Sequence, residues 1–305
     1  MRIGVVIPAY NLGARLTGAI RSVLEQSHRD LAVAVVDDGS TDETLALARS
    51  QRDARLILIS QPNQGVSAAR NRGLAALPPV DAVLFLDGDD RLAPDALARL
   101  CAALAAAPDA VAAVGPSRTG NARPRPAPGG AMLEALLIGN RYVNGGQMLI
   151  RAGAVAAVGG FHPGLRFGED WEYWARLACL GPFAVAQGAA PVLHVESRAE
   201  GAYRRHATDP QAFRACLVAI HGNPAITARL PSARRATLRR RAEAECAWII
   251  GRELLRARRQ GAALGWMARS VAAAPRPKRI GLLALACLPR GWPGARGGPF
   301  REYAA

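Results

Sequence analysis

Three acids crowd one turn of this chain: Asp87, Asp89 and Asp90 stand around the single Gly88. Carboxylates this close repel one another and raise each other's pKa, so they are costly unless a positive charge sits among them. A hard divalent cation with oxygen ligands is the natural partner. Gly88 lets the backbone turn tightly against whatever the acids hold. The same residues also suit a solvated turn in which Asp90 caps a helix opening near Pro94. Taken alone, the motif supports both readings. Acids recur in two other places: Asp37-Asp38 closes an apolar run, and Glu169-Asp170 heads a stretch where acids would complement a helix dipole.

The elements that must carry these acids follow from the apolar pattern. Short runs rich in β-branched and aromatic residues predict strands over 3–7, 31–36, 55–59, 81–86 and 110–114. Between them, Leu16, Ala19, Ile20, Val23 and Leu24 fall at helical spacing over 14–26. Further helices are predicted after Asp42, over 66–77 and over 94–106. Strands alternating with helices in this way imply βαβ units and a mostly parallel sheet. Ligands of such sheets bind outside the carboxyl ends of the strands. Here those ends carry Pro8-Ala9-Tyr10-Asn11, Asp37-Asp38 and Asp87-Gly88-Asp89-Asp90. Three polar clusters in succession favour a binding site over three helix caps. Beyond them, 116–130 turns to Arg, Pro and Gly and predicts a surface loop. Strands are predicted over 142–151 and 192–195, and a helix opens at Gly168. After Asp209 the pattern is almost wholly helical.

The chain is 305 residues long and 50% hydrophobic, enough for a sizeable core. Its net charge of +15 is lopsided: residues 201–305 hold 20 basic and 5 acidic side chains, whereas 1–200 balance at 19 of each. A neutral domain is therefore followed by an extension that seeks negative surfaces. The five cysteines are scattered with no C-x-x-C pair, which argues against a disulfide framework or zinc site and fits a reducing cytoplasm. Met1-Arg2 leads straight into a strand, so no signal peptide is expected. The longest apolar run, 280–288, is about half of the roughly 20 residues a membrane span needs.

Five segments together resemble a known family. They are Val6-Ile-Pro-Ala-Tyr-Asn11, Val36-Asp-Asp-Gly-Ser-Thr-Asp42, Asn63-Gln-Gly-Val-Ser-Ala-Ala-Arg-Asn-Arg-Gly73, Leu86-Asp-Gly-Asp-Asp90 and Gly168-Glu-Asp170. Their order and spacing are similar to those of the inverting nucleotide-sugar glycosyltransferases of family 2, which have the GT-A fold. The resemblance implies an α/β domain over 1–207, Rossmann-like, with a mostly parallel sheet flanked by helices, and a basic helical extension over 208–305. It further implies a nucleoside-diphosphate sugar as donor, a UDP-sugar first, and a glycan or lipid-linked acceptor, as in bacterial polysaccharide synthesis. Asp38 would accept the imide N–H of a uracil or thymine base, Tyr10 would lie against that base, and Pro8 and Ala9 would offer backbone contacts. Asp87 and Asp89 would be the ribose and metal pair, with Asp89 the direct ligand of Mg²⁺ or Mn²⁺. Arg70 would reach towards the nucleotide. Asp170 would be the general base that inversion requires on the acceptor side. Tyr203-Arg-Arg-His206 resembles a closing segment in which His206 contacts metal or phosphate; His194 is a weaker candidate for that task. Trp171 and Trp174 could form a sugar platform, one of them belonging to the core.

The extension predicts long helices over 232–259 and 262–273, then Arg276-Pro-Lys-Arg279 before the apolar run. That pattern suits a cytoplasmic protein peripheral at the inner face of the plasma membrane. Packing on the catalytic domain or a second subunit is the rival. Other classes fit less well. A nucleotidyltransferase should open with a glycine-rich loop where Pro8-Ala9-Tyr10-Asn11 stands, and a receiver domain needs a lysine after its last strand. A nucleic-acid binder should interleave aromatics in its basic tail, so no nucleic-acid partner is expected. A catalytically inactive relative would retain the same acids.

Overall fold

The computed structural model describes residues 1–196 and 206–287. Contacts divide the chain into two compact units, Met1–Leu136 with Asn140–Ser197, and Leu137–Gly139 with Arg198–Ala305.

The first unit is built on a seven-stranded sheet. Its strands are β1 (Ile3–Ala9), β2 (Leu31–Asp37), β3 (Leu56–Ser60), β4 (Ala82–Phe85), β6 (Ala112–Val114), β8 (Met148–Arg151) and β9 (Phe183–Val185), in the order β3-β2-β1-β4-β8-β6-β9. Every residue of β1, β2 and β4 is buried, which is why these segments read as unbroken apolar runs rather than alternating ones. β1 to β4 run parallel, and Ala9 pairs with Asp37 and Asp37 with Ser60, so the strand ends meet at one edge. β8 alone runs the other way, antiparallel to both β4 and β6.

Helices α1 (Ala14–Leu24), α2 (Thr44–Ser50), α3 (Val66–Ala76) and α4 (Ala96–Ala106) follow the predicted order. α1 buries Leu16, Ala19, Ile20 and Val23, and α4 buries Leu97, Leu100 and Leu104, all within one core cluster with β1 and β2. Three short strands form a second sheet: β5 (Arg91–Leu92), β7 (Ser117–Thr119) and β10 (Leu193–Val195), in the order β5-β10-β7. The predicted loop over 116–130 thus begins as β7 and doubles back through a bridge between Ser117 and Arg125. The predicted strand over 142–151 is shorter than its apolar run. Asn144 accepts from Gly146 N at 2.9 Å, caps a 3₁₀ turn at Gly145–Gln147, and delays the strand to Met148. Helices α5 (Leu133–Ile138) and α6 (Ala152–Val158) and strand β9 were not predicted. At three to seven residues, such elements are too short to display a period. α7 (Glu169–Leu177) opens at Gly168 with Glu169, Asp170 and Glu172 in its first turn.

The second unit is helical: α8 (Pro210–Gly222), α9 (Pro224–Thr227), α10 (Ser232–Arg256), α11 (Gln260–Ala273) and α12 (Pro277–Ala286). Asp209 and Asn223 cap α8 and α9 by accepting from Gln211 N and Ala225 N, each at 2.9 Å. Trp248, Met267, Leu282 and Ala286 form the core of α10 to α12. Among the described residues, no helix is long and apolar enough to cross a membrane.

Candidate active site

The ends of β1 and β2 are knitted together. Asp38 N donates to Ala9 O at 2.8 Å, so one of the predicted backbone contacts is engaged within the fold. Asn11 N donates to Ser40 Oγ at 3.0 Å, and Asn11 Oδ1 accepts from Thr41 N at 2.8 Å. Thr44 Oγ1 accepts from both Leu12 N and Gly13 N at 2.8 Å. Over this fixed turn Tyr10 stands 48% exposed, while Pro8 and Ala9 beneath it are buried. Asp38 is only 3% exposed. Its Oδ1 accepts from Gln61 Nε2 at 2.8 Å and Gln64 N at 2.9 Å, and its Oδ2 from Gly65 N at 2.8 Å. A carboxylate has about four acceptor positions, so three of those on Asp38 are taken within the fold. Gly39 makes the arrangement possible: its φ is +75°, and a Cβ there would lie 2.8 Å from Asn63 N. Asp37 is buried against Ser60 Oγ and Ser40 N and holds the loop in shape.

At the end of β4 the backbone comes close to β1. A Cβ on Gly88 would lie 2.8 Å from Pro8 O and 2.5 Å from the side chain of Leu12, so no larger residue fits. Asp87 Oδ1 accepts from Arg70 Nη2 at 2.8 Å, and Asp89 sits half-buried beside it. Asp90 does more than shape its own turn. At 2% exposure it accepts from Asn144 Nδ2 at 2.5 Å and from Glu196 N at 2.9 Å, joining β4, the turn before β8 and the end of β10. Burial, then the charges of Asp87 and Asp89, push its carboxyl up to about 8.

The third acid group faces β4 from α7. Glu169 Oε1 accepts from Arg70 Nη1 at 2.9 Å, so one buried guanidinium, 4% exposed, serves both groups. Its Nε has no hydrogen-bond partner among the described residues. Asp170 is half-buried; its Oδ1 accepts from Trp171 N at 2.6 Å and its Oδ2 from Asn140 Nδ2 at 3.1 Å. Burial and then the neighbouring Glu169 push its carboxyl up to about 7, with Arg70 opposing them.

Residues that sequence reading overlooked complete the site. Asn71 lay inside a quoted segment yet drew no attention; its side chain holds both the N–H and the C=O of Phe161. Asn140 lies in loop sequence that carries no period, and Asn144 falls inside the strand predicted over 142–151, where nothing local marks it as a cap. Trp171 and Trp174 correct the platform idea, since both are core residues at 4% and 0% exposure. His194 Nδ1 lies 3.2 Å from Arg118 Nη2. His206 belongs to the second unit, and Tyr203, Arg204 and Arg205 lie outside the described residues. No group of three His, Cys, Asp or Glu side chains gathers as a ready-made cation site among the described residues. A separate cavity of about 710 Å³ lies at the carboxyl ends of β6 and β9, lined by Pro116, Arg123, Pro126, Ala127, Val185 and Gly188.

Comparison with known proteins gives this geometry a family. The chain is 41% identical over 103 residues to an uncharacterized glycosyltransferase of Nostoc sp., covering 33% of this chain and 32% of that one. It is 36% identical over 96 residues to glycosyltransferase GlyA of Streptococcus pneumoniae, covering 31% and 14%. The match thus spans about a third of the first relative and a smaller part of the second. Among solved structures, residues 1–349 of S. aureus TarS in complex with UDP-GlcNAc superpose with a TM-score of 0.65 at 18% identity, covering 93% of this chain and 84% of that one. A mannosyltransferase of Pyrobaculum calidifontis in complex with GDP-Man and Mn²⁺ superposes at 0.63 with 21% identity, covering 99% and 82%. These two share the GT-A type arrangement of sheet, helices and C-terminal helices. The family model described as "Glycosyl transferase family 2" matches residues 4–161, ending just before Glu169 and Asp170. With more than half of its residues inside that match, the chain belongs to glycosyl transferase family 2.

Proposed function

We propose that the chain is an inverting glycosyltransferase. It moves a sugar from a nucleoside-diphosphate sugar, a UDP-sugar first, to a hydroxyl of a glycan or lipid-linked acceptor. One observation carries the reading: the buried Arg70 binds Asp87, just after β4, and Glu169, the first residue of α7, so that Asp170 feels the charges of both Arg70 and Asp87. Exposed Tyr10 offers a face for the base, Pro8 and Ala9 line its foot, and Asp38 is the proposed acceptor for an imide N–H. Asp170 takes the proton of the acceptor hydroxyl as that oxygen attacks the anomeric carbon. The bond to the diphosphate breaks on the opposite face, and its electron pair leaves with the phosphate oxygen. A carboxyl pushed up to about 7 is matched to proton transfer near neutral pH.

The acids also fit a divalent cation, Mg²⁺ or Mn²⁺. The donors are all oxygen, and the charges of Asp87 and Asp89, which add to burial in raising Asp90, are the excess a hard cation relieves. Asp89 and Asp87 would hold it. When bound, the cation offsets charge developing on the leaving diphosphate. The mannosyltransferase solved with GDP-Man and Mn²⁺ supports this choice. A screen of nucleotide sugars for binding and turnover, with and without Mn²⁺, tests the reading. Turnover of a UDP-sugar only with metal is expected; no hit among uridine, thymidine and guanosine sugars sinks it.

For location, we propose peripheral attachment to the cytoplasmic face of an anionic membrane. On α12, Ile280 and Leu285 are 48% and 38% exposed beside the exposed Arg276 and Lys278. Co-sedimentation with anionic liposomes at low salt is expected, and failure to sediment overturns it.

A further inference from the structure

Arg70 does not spend its hydrogen bonds on open space. From α3 it donates through Nη2 to Asp87 at 2.8 Å and through Nη1 to Glu169 at 2.9 Å. Its guanidinium also lies 5.0 Å from the centre of the Phe161 ring. Asn71, the next residue, accepts from Phe161 N at 2.7 Å and donates to Phe161 O at 2.9 Å. From the other side, Arg176 on α7 forks onto Glu172 at 2.7 and 2.8 Å, and donates to Val158 O at 2.6 Å and Gly160 O at 2.9 Å. The Phe161 ring stacks on Tyr173 of α7, with centroids 4.2 Å apart and planes 11° from parallel. Residues 158–161 are thus gripped by both helices, and one guanidinium spans the end of β4 and the first residue of α7.

We propose that Arg70 is a positioning residue: by holding Asp87 and Glu169 at once, it sets the separation between the donor floor and the base Asp170. Asn71 secures the segment behind it. A planar guanidinium fixes two carboxylates relative to each other, whereas an ammonium is a single point of charge. A buried ion pair is weak evidence for stability, so the value of this one lies in geometry. The role as a base rests on the transfer reading above; the spacing does not.

The test uses Arg70→Lys, Arg70→Ala and Asn71→Ala in the full chain, with three measurements. The first is calorimetric binding of UDP and of GDP, each with Mn²⁺. The second is kcat and donor KM for whichever nucleotide sugar wild type turns over. The third is hydrogen exchange of the amides over 169–172. Arg70→Lys should lose about a hundredfold in kcat, the cost of misplacing a reacting group by about an ångström. Donor KM and nucleotide Kd should stay within about threefold, as expected when only the transition state suffers. Exchange over 169–172 should quicken in Arg70→Ala and slow again with added dilute guanidinium. Asn71→Ala should move the same quantities in the same direction, less far, and carries the test should Arg70 variants not fold. Nucleotide Kd raised about tenfold with kcat intact would instead make Arg70 a direct nucleotide contact and overturn the proposal. If wild type turns over no nucleotide sugar, the transfer reading falls by itself. The bridge is then judged on exchange, where faster amides in Arg70→Ala uphold it and unchanged amides end it.

Discussion

The two units each bury an arginine, and the pair is instructive. In the first, Arg70 lies 5.0 Å from the Phe161 ring and binds Asp87 and Glu169. In the second, Arg279 on α12 lies 5.3 Å from the Trp248 ring, binds Glu245 and donates to Ser270 Oγ at 3.1 Å. Both guanidiniums are at most 5% exposed, and both bind an acid and an aromatic ring. They differ in what surrounds them. Around Arg279 the side chains serve helix packing: Ser270 Oγ donates a hydrogen bond to Ala244 O at 2.7 Å, tying α11 to α10. Around Arg70 there is more acid than one cation can neutralise; burial first, and then the neighbouring acids, push Asp90 and Asp170 up to about 8 and about 7. A buried ion pair alone therefore says little about function. Surplus charge of one sign beside it, at strand ends, says more.

The comparison breaks most visibly at Asp170. Asp170→Asn should lower kcat by about a hundred- to ten-thousandfold, the usual worth of a general base, with UDP·Mn²⁺ affinity within a few-fold of wild type by calorimetry. Arg279→Met should show the opposite pattern. Leaving the partly exposed Glu245 with only Arg276, 3.7 Å away, and losing the bond to Ser270 should cost about 1–3 kcal/mol in urea denaturation, with turnover per folded molecule retained. Equal loss of activity in both variants would erase the distinction drawn between the two arginines. Asp89→Asn tests the metal floor: Mn²⁺-dependent nucleotide binding should weaken by at least about tenfold, while binding without metal stays put.

Acidity sharpens the contrast further. Since Asp170 acts only when ionised, kcat/KM should rise with pH through a limb near 7 and level off above it. Stability should run the other way. A carboxyl raised from 3.8 to about 7 binds its proton more tightly in the folded chain. It therefore contributes stability below pH 3.8 that is lost as pH rises towards 7. The melting temperature of Asp170→Asn, measured without metal, should gain on wild type across that interval. A constant difference would mean that Asp170 titrates normally.

Much of this site was legible because parallel strands buried on both faces leave unbroken apolar runs, and their carboxyl ends then stand out as polar punctuation. Asp37, Asp38 and Asp87 to Asp90 were found that way. Arg70 was located by its motif, but its partners Asp87 and Glu169 were not, because a sequence does not show which carboxylates lie across from a helix. Asp90 was undervalued for the same reason: its partners Asn144 and Glu196 N are 54 and 106 residues away in the chain. The tryptophans of α7 misled because aromatic spacing fits a sugar platform and a core equally well, and only burial separates them.

One strand of the large sheet runs against its neighbours, and this sets a limit on loop length. Because β8 is antiparallel, the segment entering it arrives at the edge where the other strands leave their acids. From that short segment Asn140 reaches Asp170 and Asn144 reaches Asp90. The step between the two asparagines works as a ruler laid between the two carboxyls pushed furthest from their ordinary range. Lengthening it by a single residue would withdraw one amide or the other, although neither acid had been touched.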